Sequence, residues 1–325
     1  MNGSMVTKPR CAVLDDYQGV ALSSADWSPL AGRVDVRVLR EHLTDRDALV
    51  AAIEDCEIVV VMRERTPMDA QVLKRLPRLR LIVTSGMRNA SIDLAAAAGL
   101  GITVCGTASS SEPPAELTWA LILGLARHVR TEAQALREGG PWQWTVGTDL
   151  AGRTLGLVGL GKIGGRVARV GLAFGMDVLA WSPNLTEARA AEQGVALAPG
   201  KRELMERSDI VSLHMVLSDR TRGLIGEAEL GAMRPSAYLV NTSRADLVDG
   251  EALLRALREG RIAGAGLDVF ATEPLAPEDP LRSLPNVLAL PHLGYVTEGN
   301  YGRYFGQAVE NIEAFLAGSP VRTLG

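Results

Sequence analysis

The chain has 325 residues, 47% of them hydrophobic and 22% charged, which is enough for two ordinary domains with well-filled cores. Its formal net charge is −4, from 34 Lys+Arg against 38 Asp+Glu, and leaves no electrostatic footprint for nucleic acid or an anionic membrane. Aromatics make up only 4%, so the core must come from Ala, Val, Leu and Ile, as buried parallel strands and their helices often do. The three cysteines, Cys11, Cys56 and Cys105, lie far apart without metal-ligand spacing, and their odd number argues against a disulfide framework. A reducing cytoplasm is expected, and no metal. The apolar stretch after Lys8 and Arg10 breaks at Asp15-Asp16, which leaves no signal-peptide core. Met5 is a second candidate start, and residues 1–4 are left out of the fold reading. The apolar run Leu117–Ala126 is far short of the roughly 20 residues of a membrane span.

In chain order, short β-branched runs alternate with longer Ala/Leu-rich stretches of helical period. The first half predicts strands at Ala12–Leu14, Val34–Leu39, Ile58–Met62, Leu81–Thr84 and Ile102–Val104. Helical patterns fall between them at Thr44–Ile53, Pro67–Leu76 and Ile92–Ala98, with Thr44 and Ser91 placed to cap first-turn amides. A long helix is predicted from Pro113 to Arg130, with two prolines at its entry, where a missing N–H costs nothing. A second series of strands follows at Thr154–Val158, Val178–Trp181, Ile210–Leu213, Ala237–Asn241 and Ala263–Leu267. A last helix spans Glu298–Ala317. Such alternation means right-handed βαβ units and parallel sheets. There are too many strands for one compact sheet, so two α/β domains are expected rather than a single barrel.

Gly159-Leu160-Gly161-Lys162-Ile163-Gly164 reads G-x-G-x-x-G between a strand, Leu155–Val158, and an amphipathic helix, Ile163–Phe174. That context makes the pattern informative. Gly159 permits the tight turn, Gly161 lets backbone amides approach a pyrophosphate, and Gly164 lets the helix pack on the strand. The next strand ends at Ser182, where an NAD-selective fold usually has Asp or Glu for the ribose 2′-hydroxyl. An uncharged hydroxyl neither grips the diol as strongly nor repels a 2′-phosphate, and no Arg or Lys immediately follows. NAD is the default cofactor, with NADP open.

Three later segments leave strands at the carboxyl edge of the sheet, where α/β ligands bind. Val240–Asp246 presents Arg244, Gly266–Pro274 presents Asp268 and Glu273, and Leu290–Gly294 presents His292. Arg binds a carboxylate bidentately, His exchanges a proton near neutral pH, and a Glu beside that His stabilises the imidazolium.

With these segments the chain resembles the D-isomer-specific 2-hydroxyacid dehydrogenases over nearly its whole length. Matching stretches beyond the glycine turn are Asp209–His214, Thr221–Ile225, Leu239–Asp249, Gly264–Pro274 and Pro291-His292. The resemblance implies two doubly wound parallel-sheet domains. A Rossmann-type cofactor domain, residues 105–292, is inserted into a flavodoxin-like substrate domain, residues 1–104 and 293–325. It also implies a homodimer and a small 2-keto or 2-hydroxy acid as substrate. In that picture a nicotinamide hydride adds to the α-carbon while His292 protonates the carbonyl oxygen. Arg244 holds the carboxylate, and Glu273 orients His292. Lys162 and Ile163 contact the pyrophosphate, Ser182 the ribose and His214 the adenine rim, while Thr242 and Asp268 face the nicotinamide side. The loop carrying Gly86, Met87 and Arg88 lays amides on the substrate, with Arg63 ending another strand of that domain. Two positions depart from the family: Tyr295 and Arg88 stand where small residues are usual. A dinucleotide-sensing corepressor of the same fold is the alternative function. A formate dehydrogenase fails on Glu273, where that branch uses a neutral amide.

Overall fold

The computed structural model describes residues 8–325, so the candidate start at Met5 lies outside the described residues. The chain divides into two compact units, one running to Ser110 and resuming over Thr297–Gly325, the other formed by Ser111–Val296. Both junctions fall a few residues beyond the expected 104/105 and 292/293. At the first, side chains of the C-terminal helix hold the strand exit: Asn311 Nδ2 donates to Gly106 O at 2.9 Å and Ser110 N donates to Asn300 Oδ1 at 3.1 Å.

The first unit is a five-stranded parallel sheet of β1 (Arg10–Val13), β2 (Asp35–Val38), β3 (Ile58–Val61), β4 (Leu81–Thr84) and β5 (Thr103–Cys105). The order β2-β1-β3-β4-β5 is flavodoxin-like, with register pairs such as Cys11↔Ile58 and Ile58↔Leu81. Every residue of β3 and β4 is buried, as strands covered on both faces require. Helices α1 (Arg46–Ile53), α2 (Ala70–Leu73) and α3 (Leu94–Gly99) share a core with Ala12, Val59, Val61, Ile82 and Val104. Their caps correct the expectation of Thr44 and Ser91: Asp45 and Asp93 accept the first-turn amides. A carboxylate next to the helix start is the stronger acceptor and also complements the helix dipole.

The second unit begins with α4 (Glu112–Ala126) and α5 (Val129–Arg137), which correct the single helix expected to Arg130. They part at His128, whose backbone is left-handed (φ 50°). Alternation follows: β6 (Thr154–Val158), α6 (Lys162–Ala173), β7 (Asp177–Trp181), α7 (Glu187–Ala191), β8 (Ala196–Leu197), α8 (Lys201–Arg207) and β9 (Ile210–Leu213). It continues through α9 (Glu227–Ala232), β10 (Tyr238–Asn241), α10 (Gly250–Arg258), β11 (Gly264–Leu267) and β12 (Val287–Ala289). The seven strands are parallel in the order β12-β11-β10-β9-β6-β7-β8, a Rossmann-type sheet whose order reverses between β6 and β9. Successive residues of β6 serve opposite faces: Leu155 and Leu157 pack with α4 and α6, while Val158 joins Leu204, Leu230 and Leu253 on the other side. Last, α11 (Glu298–Leu316) returns to the first unit and packs on β4, burying Tyr304, Phe305 and Ile312.

Candidate active site

The glycine turn stands at the carboxyl end of β6, at the point where strand order reverses. Gly159 has φ 103°, a region closed to most side chains, and a Cβ there would approach His214 O to 2.7 Å. A Cβ on Gly164 would strike the Gly159 carbonyl, so α6 could not sit this close to the strand. A Cβ on Gly161, by contrast, would meet nothing within 4 Å. As N-cap of α6 it provides no side chain for the first-turn amides, which stay available to an anion. These residues fit a dinucleotide. Lys162 is exposed, while Ile163 packs its side chain onto the core and offers only its backbone to a ligand. Ser182 is half-buried beyond β7, where Trp181 O accepts the Gly159 N–H at 2.8 Å and ties strand end to turn. His214 follows β9, its Nε2 3.0 Å from Ser212 Oγ. Loss of water around the ring pushes it down to about 4, so it is a neutral imidazole.

The segments after β10, β11 and β12 carry Arg244, Glu273 and His292. Asn241 folds the first back on itself: its Oδ1 accepts Ser243 N at 3.0 Å and its Nδ2 donates to Arg244 O at 2.9 Å. The Arg244 guanidinium donates to Ser243 O at 2.7 Å and is half-buried. Thr242 Oγ1 lies 2.8 Å from Thr118 Oγ1 of α4.

Glu273 uses its two oxygens differently. Oε1 accepts the Phe270 N–H at 2.9 Å, and Oε2 lies 2.6 Å from His292 Nδ1. A carboxylate only accepts, so Nδ1 carries the proton and Nε2 is the ring atom left for chemistry. His292 is left-handed (φ 53°), uncommon for a residue with a side chain and typical of built sites. Asp268 holds that conformation in place. Fully buried, it accepts Leu293 N at 2.7 Å and Gly294 N at 2.8 Å, one on each oxygen. Burial pushes its carboxyl up to about 6, although both amides favour the ionised form. Sequence reasoning set Asp268 on the nicotinamide side; both its oxygens are occupied by the His292 loop. The buried Tyr295 ring stands edge-on to His292, with centroids 5.3 Å apart.

In the first unit, the loops after β3 and β4 are laced together. Arg63 is left-handed (φ 53°), and its guanidinium lies where a Cβ on Gly86 (φ 91°) would be. Asn89 Nδ2 donates to Arg63 O at 2.6 Å, and Gly86 N donates to Thr107 Oγ1 at 2.9 Å. Met87 and Arg88 are exposed. Sequence reasoning missed a neighbouring cluster at the end of β1. Buried Asp15 (φ 57°) meets His42 Nδ1 at 2.9 Å and accepts Thr66 Oγ1 at 2.6 Å, while its carbonyl accepts from Arg65, which stacks on Tyr17. Its only trace in the sequence is the Asp15-Asp16 pair, which reads as a break in an apolar run.

The profile of the D-isomer specific 2-hydroxyacid dehydrogenase NAD binding domain matches residues 119–294. A glyoxylate reductase from Korarchaeum cryptofilum is 39% identical over 289 residues, 87% of this chain and 83% of the relative. The chain belongs to the D-isomer specific 2-hydroxyacid dehydrogenase family. A hydroxypyruvate reductase from Thermotoga maritima is 36% identical over 87% of this chain and 92% of its own. A crystal structure of phosphoglycerate oxidoreductase from Vibrio cholerae superimposes with a TM-score of 0.91 at 39% identity, covering 96% of this chain and all of that one. This D-2-hydroxyacid dehydrogenase is therefore an NAD(P)-dependent oxidoreductase of hydroxy acids. No helix among its described residues is long and apolar enough to cross a membrane.

Proposed function

We propose that this dehydrogenase reduces a short 2-keto acid of the glyoxylate or hydroxypyruvate type to its D-2-hydroxy acid, with Arg244, Glu273 and His292 as its machinery. The observation that carries the reading is the 2.6 Å contact between Glu273 and His292 Nδ1, on a loop strained into place. NAD(P)H, when bound, supplies the hydride. Gly159, Gly161 and Gly164 with the amides of Lys162 and Ile163 hold its pyrophosphate, while Ser182, His214 and Thr242 line the rest of its length. Arg244 binds the substrate carboxylate and draws charge toward the carbonyl oxygen. His292 gives that oxygen a proton from Nε2, and Glu273 balances the charge on the ring. General acid help of this kind is worth about 10²–10⁴-fold. Asp268 is a positioning residue, since it touches the loop rather than the reacting atoms. Within the first unit, Arg63 and the Gly86, Met87 and Arg88 loop are read as substrate-facing. The left-handed backbone of the non-glycine strand exits Asp15 and Arg63 supports this, because strain of that kind collects at ligand sites.

We also read the chain as a cytoplasmic homodimer. Three buried, unpaired cysteines suit a reducing compartment. An arm after α5 exposes Trp142 (79%), Trp144 (61%) and Val146 (90%), more apolar surface than a lone protomer usually shows. A panel of glyoxylate, hydroxypyruvate, phenylpyruvate, oxaloacetate and 2-oxoglutarate with NADH and NADPH tests the substrate class. Turnover confined to the bulky or dicarboxylic acids would overturn the short-chain assignment.

A further inference from the structure

The second unit holds a separate cavity of about 230 Å³ at the opposite edge of its sheet. Tyr238 and Val287, which line it, are the first residues of β10 and β12. Arg244, Glu273 and His292 follow the other ends of β10, β11 and β12. Strands of four residues put about 13 Å between the two edges. The cavity therefore belongs neither to the glycine turn nor to the catalytic segments.

Its lining divides by chemistry. Leu125 of α4 forms an apolar floor with Val287 and Leu288, and Gly124 lets α4 lie so close to β12 that a Cβ there would come within 2.7 Å of Leu288 Cδ2. Around this floor stand His128, Arg130, Thr131, Tyr238 and Asn286, and no Asp or Glu among the described residues joins them. Arg130 donates to Pro285 O at 3.4 Å and has no carboxylate within ion-pair distance among the described residues. The half-buried Tyr238 hydroxyl makes no hydrogen bond among them. Glu132, the acid nearest His128 on α5, accepts the Trp144 and Thr145 amides instead. His128 itself is left-handed (φ 50°), and strain of that kind collects where ligands are held. Cation, hydroxyl and phenol above an apolar floor, with no acid, complement a carboxylate that carries an apolar body. The volume is below the roughly 300–1,000 Å³ of drug-sized sites, which limits that body to a single ring or a short branched chain.

We propose that this cavity is a second ligand site of the dehydrogenase, taking a small monocarboxylate with an aromatic or branched apolar body. Arg130 pairs with the carboxylate, the Tyr238 hydroxyl donates to it, and the body lies on Leu125 and Leu288. Calorimetric titration of the full chain with benzoate tests this, with acetate (the charge without the ring) and benzamide (the ring without the charge) as controls. Benzoate is expected to bind with a Kd of about 1 mM, and each control at least ~10-fold more weakly. Arg130→Ala should weaken benzoate ~10-fold, the low end for a charge-assisted hydrogen bond because Arg130 is exposed. Tyr238→Phe should weaken it about threefold to tenfold. Both variants should keep the wild-type thermal midpoint, which separates a lost contact from a lost fold. Arg244→Ala should leave benzoate affinity unchanged, and a loss there would place the probe in the active site and overturn the proposal. Absence of binding, or affinity untouched by both Arg130→Ala and Tyr238→Phe, would overturn it too. Binding that appears only in the Trp142→Ala/Trp144→Ala double variant would show that a second copy of the chain covers the cavity, and would also overturn it.

Discussion

At the scale of single residues, His292 is held by three constraints that act on different atoms. Glu273 holds Nδ1, Tyr295 flanks the ring, and Asp268 pins the next two backbone amides. Removing the imidazole should therefore affect proton delivery and not cofactor affinity. His292→Ala is expected to lower kcat for keto-acid reduction by about 10²–10⁴-fold. NAD(P)H affinity, read by fluorescence titration, should be retained, and joint loss of both would make His292 structural. Glu273→Ala removes the acceptor that orients the His292 Nδ1–H, so kcat should fall while NAD(P)H affinity holds. An unchanged kcat would remove Glu273 from the mechanism. Asp268 makes a separate prediction about stability. Its carboxyl is raised from 3.8 to about 6 by burial, so the folded chain binds that proton more tightly than the unfolded one. The stability this contributes is full below about pH 4 and is lost as pH rises through about 6. Asp268→Asn does not titrate, so any stability advantage of wild type over the variant should shrink across that window, by at most ~3 kcal/mol. Urea unfolding of both chains at pH 4.5 and 7 measures it, and a difference independent of pH would refute the assignment.

At the scale of elements, the break between α4 and α5 is the clearest case of one residue setting a helix boundary. Leu117–Ala126 continues its pattern toward His128, yet the left-handed His128 turns the chain before α5. An αL residue with a Cβ costs about 1–2 kcal/mol, and histidine tolerates the region better than branched residues do. His128→Gly should leave thermal stability nearly unchanged, since relief of strain offsets the glycine's extra unfolded-state entropy. His128→Val should lose about 1–2 kcal/mol. If Gly and Val behave alike, the backbone at 128 does not set the boundary.

At the scale of the whole molecule, each unit has its own core and its own parallel sheet, and the exposed arm belongs to the second. Glu132 of α5 accepts the Trp144 N–H at 3.3 Å, which fixes the arm's base while its tryptophans stay in solvent. Burying Trp142, Trp144 and Val146 against a second copy is the expected use of that surface. Light scattering after gel filtration should give a dimer for wild type and a shift toward monomer for Trp142→Ala/Trp144→Ala. A wild-type monomer at micromolar concentration would refute the homodimer.

Much of this architecture was legible in the residues themselves, because its signals are local. A period of 2 or 3.6 needs only a dozen neighbours, so Leu81–Thr84, Thr154–Val158 and Ile210–Leu213 are strands with the predicted bounds. The glycine turn is equally local: the backbone path at Gly159 and the close approach at Gly164 are written in the absence of a side chain. Edge strand β8, two residues long, was too short to show a period. The caps went to Asp45 and Asp93 because acceptor strength and reach were decided within the folded turn. Asp268 and the Leu293 and Gly294 amides are 25 and 26 residues apart and meet only because β11 and β12 are neighbours in the sheet. The sequence by itself determined ten of the twelve strands of the described residues, the turn and the residue types offered at each strand end. Only the tertiary structure decided which of them face one another, since strand order is set by burial of whole faces and not by any local pattern.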